Sequence, residues 1–188
     1  MQQEQQQAVA YFPDNQPVSG YVIFEGNDET CIVRAYFSKL PPGDHGFHIH
    51  KAGDLRGEGC HGACDHYHVG PPCDHGGPPS SSSRSSSRSN RHTGDLGNIS
   101  TKAGPFYKSY ELKGVSVGDL YGRSVIVHAD PDDLGKGPHE DSKTTGHSGK
   151  RIACAIIGRA SCANAVVSAV ISNAVISKRT TLKAPKRK

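Results

Sequence analysis

Tryptophan is absent, methionine occurs once and leucine is thin across these 188 residues. A chain so poor in long unbranched apolar side chains has little from which to build amphipathic helices. Its 22 glycines and 12 prolines favour short strands joined by long ordered loops. No uninterrupted apolar run reaches the ~18 residues of a membrane span. The glutamine-rich start, Met1 to Gln7, lacks the basic opening and apolar core of a secretory signal, so a cytoplasmic location is the expectation. Acidic residues are missing from Lys178 to Lys188, which carry six Lys or Arg. Subtracting those six from the formal +4 leaves −2 on the remainder, a nearly neutral body. Attraction for an anion must then be local, made by a few placed cations.

The six cysteines, in a chain expected in a reducing compartment, read as free thiols or metal ligands, and one disulfide stays open as an alternative. Cys60, Cys64 and Cys73 stand among histidines, which raises zinc binding. Their spacings of four and nine residues match no zinc ribbon.

Apolar runs Val9 to Phe12 and Val18 to Glu25, separated by Pro13-Asp14-Asn15-Gln16-Pro17, predict a β-hairpin. Cys31 to Phe37 puts Val33, Ala35 and Phe37 on one face, and Pro41-Pro42-Gly43-Asp44 breaks the chain before the next strand. Further strands are expected at Asn98 to Thr101, Lys108 to Leu112, Ser124 to His128 and Ile152 to Arg159, about eight in all. Two long polar stretches, Ala52 to Gly97 and Ala129 to Lys150, show no hydrophobic period and read as functional loops. Within the first, Ser80 to Asn90 is a serine run with Arg84 and Arg88, too poor in apolar surface to order by packing and read as a flexible insertion. Cys162 to Ile176 has helical amphipathic spacing ahead of the basic end. That tail could pack on the body or a second subunit, or touch nucleic acid or an anionic membrane.

Gly46-Phe47-His48-Ile49-His50 is the most informative segment. Side chains two apart on a strand leave the same face, so His48 and His50 can reach one metal ion. Eight of the eleven histidines fall between His45 and His92. His66 and His75-Gly76-Gly77-Pro78 come next in order, then Arg91-His92-Thr93-Gly94-Asp95-Leu96-Gly97-Asn98. His128 closes a valine-rich run, Asp132-Asp133-Leu134-Gly135-Lys136-Gly137 follows, and Thr145 to Gly158 reads TGHSGKRIACAIIG. From about Ala8 to Gly158 this ordered set resembles the copper/zinc superoxide dismutase family.

The resemblance implies an all-β fold, a flattened eight-stranded antiparallel Greek-key barrel of the immunoglobulin-like sandwich kind with two long functional loops. It implies residues 1–7 as a disordered start, 8–160 as the dismutase domain with an insertion at about 79–90, and 161–188 as an extension. It implies one copper ion held by His48, His50, His66 and His128. One zinc ion would sit on His66, His75, His92 and Asp95, with His66 bridging the two. Asp132 would bond the outer nitrogens of His48 and His75, Arg151 would receive the anion, and Cys60 and Cys154 would form the intramolecular disulfide. Cys31, Cys64, Cys73 and Cys162 would be free thiols, with Cys64 able to compete with Cys60. The implied reaction is antioxidant dismutation of superoxide to dioxygen and hydrogen peroxide by Cu(II)/Cu(I) cycling, in a homodimer with a copper chaperone as a further candidate partner.

Several features depart from the family pattern. Lys143, Glu140 and Asp141 lie in the loop that shapes the field in relatives, but Thr144 stands where many have lysine, so weaker steering is expected. His61, His68, His139 and His147 have no family metal role and read as surface residues, with His61 and His68 as off-site metal traps. His45 reads as a packed histidine. Two other classes of function compete: a non-enzymatic copper-sequestering or decoy protein, and a binding protein acting through the Ser/Arg tip or basic tail.

Overall fold

The computed structural model describes residues 6–79, 91–102 and 104–161. The Ser80 to Asn90 insertion and the Cys162 to Ile176 segment lie outside the described residues. The chain divides into two compact units, Met1–Gly158 and Arg159–Lys188.

β-Branched and aromatic residues alternating with polar ones form β1 (Gln6–Phe12), β2 (Ser19–Gly26) and β3 (Thr30–Lys39). The β2–β3 turn is held by the Asn27 side chain, whose Oδ1 accepts the backbone N–H groups of Glu29 and Thr30 at 2.9 and 3.0 Å. Then follow β4 (His45–His50), β5 (Asp95–Ile99), β6 (Phe106–Lys113), β7 (Ser124–His128), β8 (Arg151–Ile156) and β9 (Gly158–Arg159). They make two sheets, ordered β6-β3-β2-β1-β9 and β5-β4-β7-β8. Strand β3 pairs with β2 and β6 while β4 pairs with β5 and β7, all antiparallel, so the connections cross between sheets and the fold is the expected all-β sandwich.

Several boundaries shift by a few residues from expectation, and two of the shifts have an evident cause. Strand β5 starts at Asp95 rather than Asn98, because Asp95 pairs with His48. The Ile152 to Arg159 run is broken at Ile157, whose N–H donates to the Arg123 carbonyl and whose carbonyl accepts from Gly122. The described strands therefore number nine rather than eight.

The core lies between the sheets. Phe37 meets Phe12 at 5.4 Å and Phe47 of the opposite sheet at 5.6 Å, ring to ring. Burying one such side chain contributes about 1.5–3 kcal/mol. Outward-facing positions of β1, β2, β3 and β6 align Tyr11, Tyr21, Tyr36 and Tyr107 in a single cross-strand row.

Strands β4 and β7 are buried along their whole length. One face supplies Phe47, Ile49, Val125 and Val127 to the core. The opposite face carries His48, His50, Ile126 and His128, and the two long loops cover it. Register shifts after Gly46 on β4 and after Val127 on β7 fall next to His48 and His128, where bulges re-aim side chains.

Candidate metal centre

His48 and His50 leave β4 on the face that the loop from Ala52 covers. An isolated bridge between His50 and His66 draws that loop across β4, and the Tyr67 N–H donates to the Ile49 carbonyl at 2.8 Å. Thus His66 arrives beside His48 with ring centroids 4.1 Å apart, and His128 from β7 lies 5.0 Å from His48.

In each of these four rings one nitrogen is held and the other is not. His48 Nε2 meets Asp132 Oδ2 at 2.9 Å, His50 Nδ1 the Cys64 carbonyl at 2.8 Å, and His128 Nδ1 the Gly149 carbonyl at 3.2 Å. His66 Nδ1 lies 2.8 Å from Asp95 Oδ1. The remaining nitrogens, His48 Nδ1 and Nε2 of His50, His66 and His128, are buried without a hydrogen-bond partner among the described residues. A buried unpaired imidazole nitrogen costs about 1–3 kcal/mol, so four converging ones need a common partner. Ligand atoms of these residues lie within 4.8 Å of one another, a set that could hold a metal ion. Burial above all pushes the His48 and His50 imidazoles well below their usual range and His128 down to about 4, so the rings stay neutral with free lone pairs.

A second set adjoins the first through His66. Asp95 Oδ1 lies 2.8, 3.0 and 3.4 Å from Nδ1 of His66, His75 and His92, and the His75 and His66 nitrogens are 3.3 Å apart. Four ligands on one tetrahedral zinc with bonds of about 2.0 Å are separated by about 3.3 Å, so the donor set fits such an ion. The other Asp95 oxygen accepts N–H groups of Gly76 at 2.9 Å and His92 at 2.8 Å. Burial would raise the Asp95 carboxyl, but bonds from His66, His75 and His92 outweigh it and hold the group far below the carboxylate range.

Asp132 spans the two sets. Its Oδ2 meets His48 Nε2 at 2.9 Å and its Oδ1 meets His75 Nε2 at 2.8 Å. Such a carboxylate fixes tautomer and ring orientation on both sides. Asn98 clamps its backbone, donating to the Asp132 carbonyl at 2.8 Å and accepting its N–H at 2.7 Å.

Arg151, at the start of β8, is half-buried. It donates to the carbonyls of Cys60 at 2.9 Å, His61 at 3.4 Å and Cys64 at 2.6 Å. The 3₁₀ segment Glu58–Ala63 that presents the first two carbonyls is tied to β8 by a Cys60–Cys154 disulfide. The structure thus brings together the seven expected ligand residues, with Asp132 against both sets.

Residues 18–157 match the family described as copper/zinc superoxide dismutase. The chain belongs to that family. Among its curated relatives, the copper chaperone for superoxide dismutase of Rattus norvegicus is 40% identical over 154 residues, 81% of this chain and 53% of the rat protein. The chain therefore spans about half the length of that relative. Among solved structures, the crystal structure of the clock protein EA4 superposes with a TM-score of 0.69 at 32% identity, covering 83% of this chain and 96% of that one.

His45 is buried, with Nδ1 2.9 Å from the His128 carbonyl and Nε2 3.0 Å from the Pro41 carbonyl, a packed position that steadies the end of β7. Cys31, Cys64 and Cys73 are free thiols, and Cys162 lies outside the described residues. His139 and His147 stack on each other at 3.6 Å, away from both sets. Three supports had no role assigned from sequence. The Cys64 carbonyl serves both His50 and Arg151. Gly146 has a left-handed backbone, and a side chain there would lie 2.1 Å from Asp132 Oδ1. Arg91 binds the carbonyls of Gly77 at 2.8 Å and Thr93 at 3.2 Å, and also that of Asp95, closing the loop around the second set. The glycine and the arginine sit in quoted motifs, whereas a carbonyl has no sequence signature.

Proposed function

We propose that the chain is a copper/zinc superoxide dismutase, converting two superoxide anions and two protons to dioxygen and hydrogen peroxide as an antioxidant defence. The observation that carries this reading is the convergence of four unpartnered buried imidazole nitrogens, with the Arg151 guanidinium bonded to the same Cys64 carbonyl that holds His50. His48, His50, His66 and His128 would hold one copper ion, and His66, His75, His92 and Asp95 one zinc ion. Copper supplies one-electron exchange between its two oxidation states, and zinc a closed-shell positive charge with no open position. Arg151, held by three carbonyls, offers its remaining N–H donors to an oxyanion. His66, joined to both sets, is placed to take up and release a proton at Nε2. Asp132 keeps His48 and His75 in the tautomers that present Nδ1 inward. The same reading places this chemistry in residues 8–160 and implies a homodimer, a cytoplasmic location and loading by a copper chaperone.

A second reading is favoured by the rat relative: a copper chaperone acting on a superoxide dismutase, using the same imidazoles to carry copper rather than to turn it over. One experiment separates them. Metal analysis of the purified full chain is expected to find about one copper and one zinc per chain. The loaded protein should accelerate superoxide consumption, and His128→Ala should abolish that acceleration. A fully loaded parent that leaves spontaneous decay unaltered ends the dismutase reading. Copper transfer from that parent to a metal-free superoxide dismutase would then establish the chaperone.

A further inference from the structure

The outer face of the larger sheet carries four of the chain's seven tyrosines. Tyr11 pairs with Tyr21, Tyr21 with Tyr36 and Tyr36 with Tyr107, so the phenols stand side by side on strands about 4.8 Å apart. Their strand neighbours Phe12, Val22 and Phe37 are buried in the core, which turns the tyrosines outward. Both histidine sets lie beyond that core, on the far face of β4 and β7, so none of the four phenols belongs to the proposed reaction. Tyr11 and Tyr107, at the ends of the row, are 58% and 43% exposed, and Tyr21 and Tyr36 between them are half-buried. Within the row, Tyr21 and Tyr36 are the pair in ring contact among the described residues, with centroids 5.2 Å apart and planes tilted by 33°. Burial first, then the Tyr36 and Tyr107 phenols, raise the Tyr21 hydroxyl above its usual range, so the oxygen ends converge as well as the rings.

We propose that Tyr21 and Tyr36 are an oxidative modification site, at which a one-electron oxidant of the peroxidase or radical class joins the two rings into an intramolecular dityrosine. The chain has no tryptophan to compete for the electron hole. Each phenol gives one electron to the oxidant and its O–H proton to water, leaving a phenoxyl radical that is shared with the ring carbons flanking the oxygen. Two such carbons, one from each ring, form a carbon–carbon bond. The hydrogen on each of them then moves to the adjacent oxygen, and both phenols are restored. The net loss is two electrons and two protons, which a peroxidase reducing one hydrogen peroxide to two waters accounts for in full. With a joining bond of about 1.5 Å the linked ring centroids stand about 4.3 Å apart, so the pair must close by about 1 Å. Both rings are outside the core and can turn about their side-chain torsions to do so. Paired strands hold the reacting carbons side by side, which replaces a diffusive encounter of two radicals by a small rotation.

The test uses the full chain, loaded with copper and zinc and with its accessible thiols alkylated. Light-generated tris(bipyridyl)ruthenium(III) is the oxidant, and persulfate is the terminal electron acceptor. Single chains, separated under denaturing conditions from any linked between molecules, should show dityrosine fluorescence and a mass lower by two hydrogens. Cleavage after Arg34 and Lys39 should leave the peptide carrying Tyr21 joined to residues 35–39, which carry Tyr36. Tyr21→Phe and Tyr36→Phe should each lose the signal from single chains, whereas Tyr11→Phe and Tyr107→Phe should keep it. A parent without the link, a link that survives in Tyr21→Phe or Tyr36→Phe, or one mapped to Tyr11 or Tyr107 would overturn the site. None of these readouts follows superoxide consumption, so failure here and failure of the dismutase reading are separate.

Discussion

Cys64 is the residue whose backbone is most at odds with its side chain. At φ 60° and ψ −151° it occupies a region that is essentially glycine's, where a Cβ adds roughly 1–3 kcal/mol of strain. The surrounding contacts hold it there. Its carbonyl accepts from His50 at 2.8 Å and from Arg151 at 2.6 Å, and turning the peptide to relieve the strain would release both. The thiol itself is exposed and contributes little packing. Cys64→Gly should therefore raise stability by about 1 kcal/mol, the relief of strain less glycine's entropic cost of about 0.5–1 kcal/mol. In urea titration the midpoint should rise at unchanged slope. A midpoint that stays or falls would show that the side chain is not the source of strain. Gly146 presents the opposite case, for there a side chain is excluded by Asp132 and His75 as well as by the left-handed backbone.

The segment Glu58–Ala63 is a pair of short 3₁₀ turns meeting at a kink, where Gly59 and Cys60 have left-handed backbones, and it has little of its own to hold it, since Ala63 is its single buried residue. The Cys60–Cys154 bond, closing a separation of 94 residues, is what fastens it to β8. Replacing both cysteines by serine should cost on the order of 4 kcal/mol in the chain-entropy account. It should also loosen the Cys60 and His61 carbonyls from Arg151, visible as faster amide exchange through Glu58–Ala63. Equal stability and equal exchange in the double variant would mean that the loop is held by its hydrogen bonds alone. At this scale strands β1, β2, β3 and β7 were readable, because each alternates or runs continuously apolar against an evident core. The start of β5 was not, since Asp95 and Gly97 carry no hydrophobic period and the pairing with His48 is decided by the site itself. The end of β8 was hidden for a related reason: Ile157 is fully buried and apolar, yet its backbone bonds to Gly122 and Arg123 rather than along the strand. The metal-set histidines and Asp132 were legible through motif order, whereas the Cys64 and Gly149 carbonyls that orient His50 and His128 become visible only once the chain is folded.

The molecule as a whole is built around a polar centre that its own protein groups do not fully satisfy, and this makes its stability depend jointly on pH and on metal. Without metal, the imidazoles of His48, His50, His66 and His128 resist protonation, whereas at His75 burial is outweighed by bonds to the Asp132 and Asp95 carboxylates, which raise it to about 9. For His128 burial lowers the value from 6.5 to about 4 against the pull of the Gly149 carbonyl. The unfolded chain takes up a proton near pH 6.5 that the fold refuses until about pH 4, so His128 contributes stability above pH 6.5 that is lost as pH falls to about 4. At about 1.4 kcal/mol per pH unit the loss reaches on the order of 3 kcal/mol from this group alone. His48, His50 and His66 are shifted in the same direction, also chiefly by burial, and add to the slope. Metal on the inward nitrogens binds the folded form selectively and adds about 4 kcal/mol when free metal exceeds its dissociation constant a thousandfold. It also blocks the sites at which protons would enter. Thermal unfolding followed from pH 7.5 down to pH 4 should show the metal-free chain losing stability steeply below pH 6.5, while the copper- and zinc-loaded chain keeps its transition temperature until protons begin to displace the ligands at lower pH. Parallel curves for the two forms, offset by a constant amount over the whole range, would mean that the buried histidines are not the groups through which metal and protons compete.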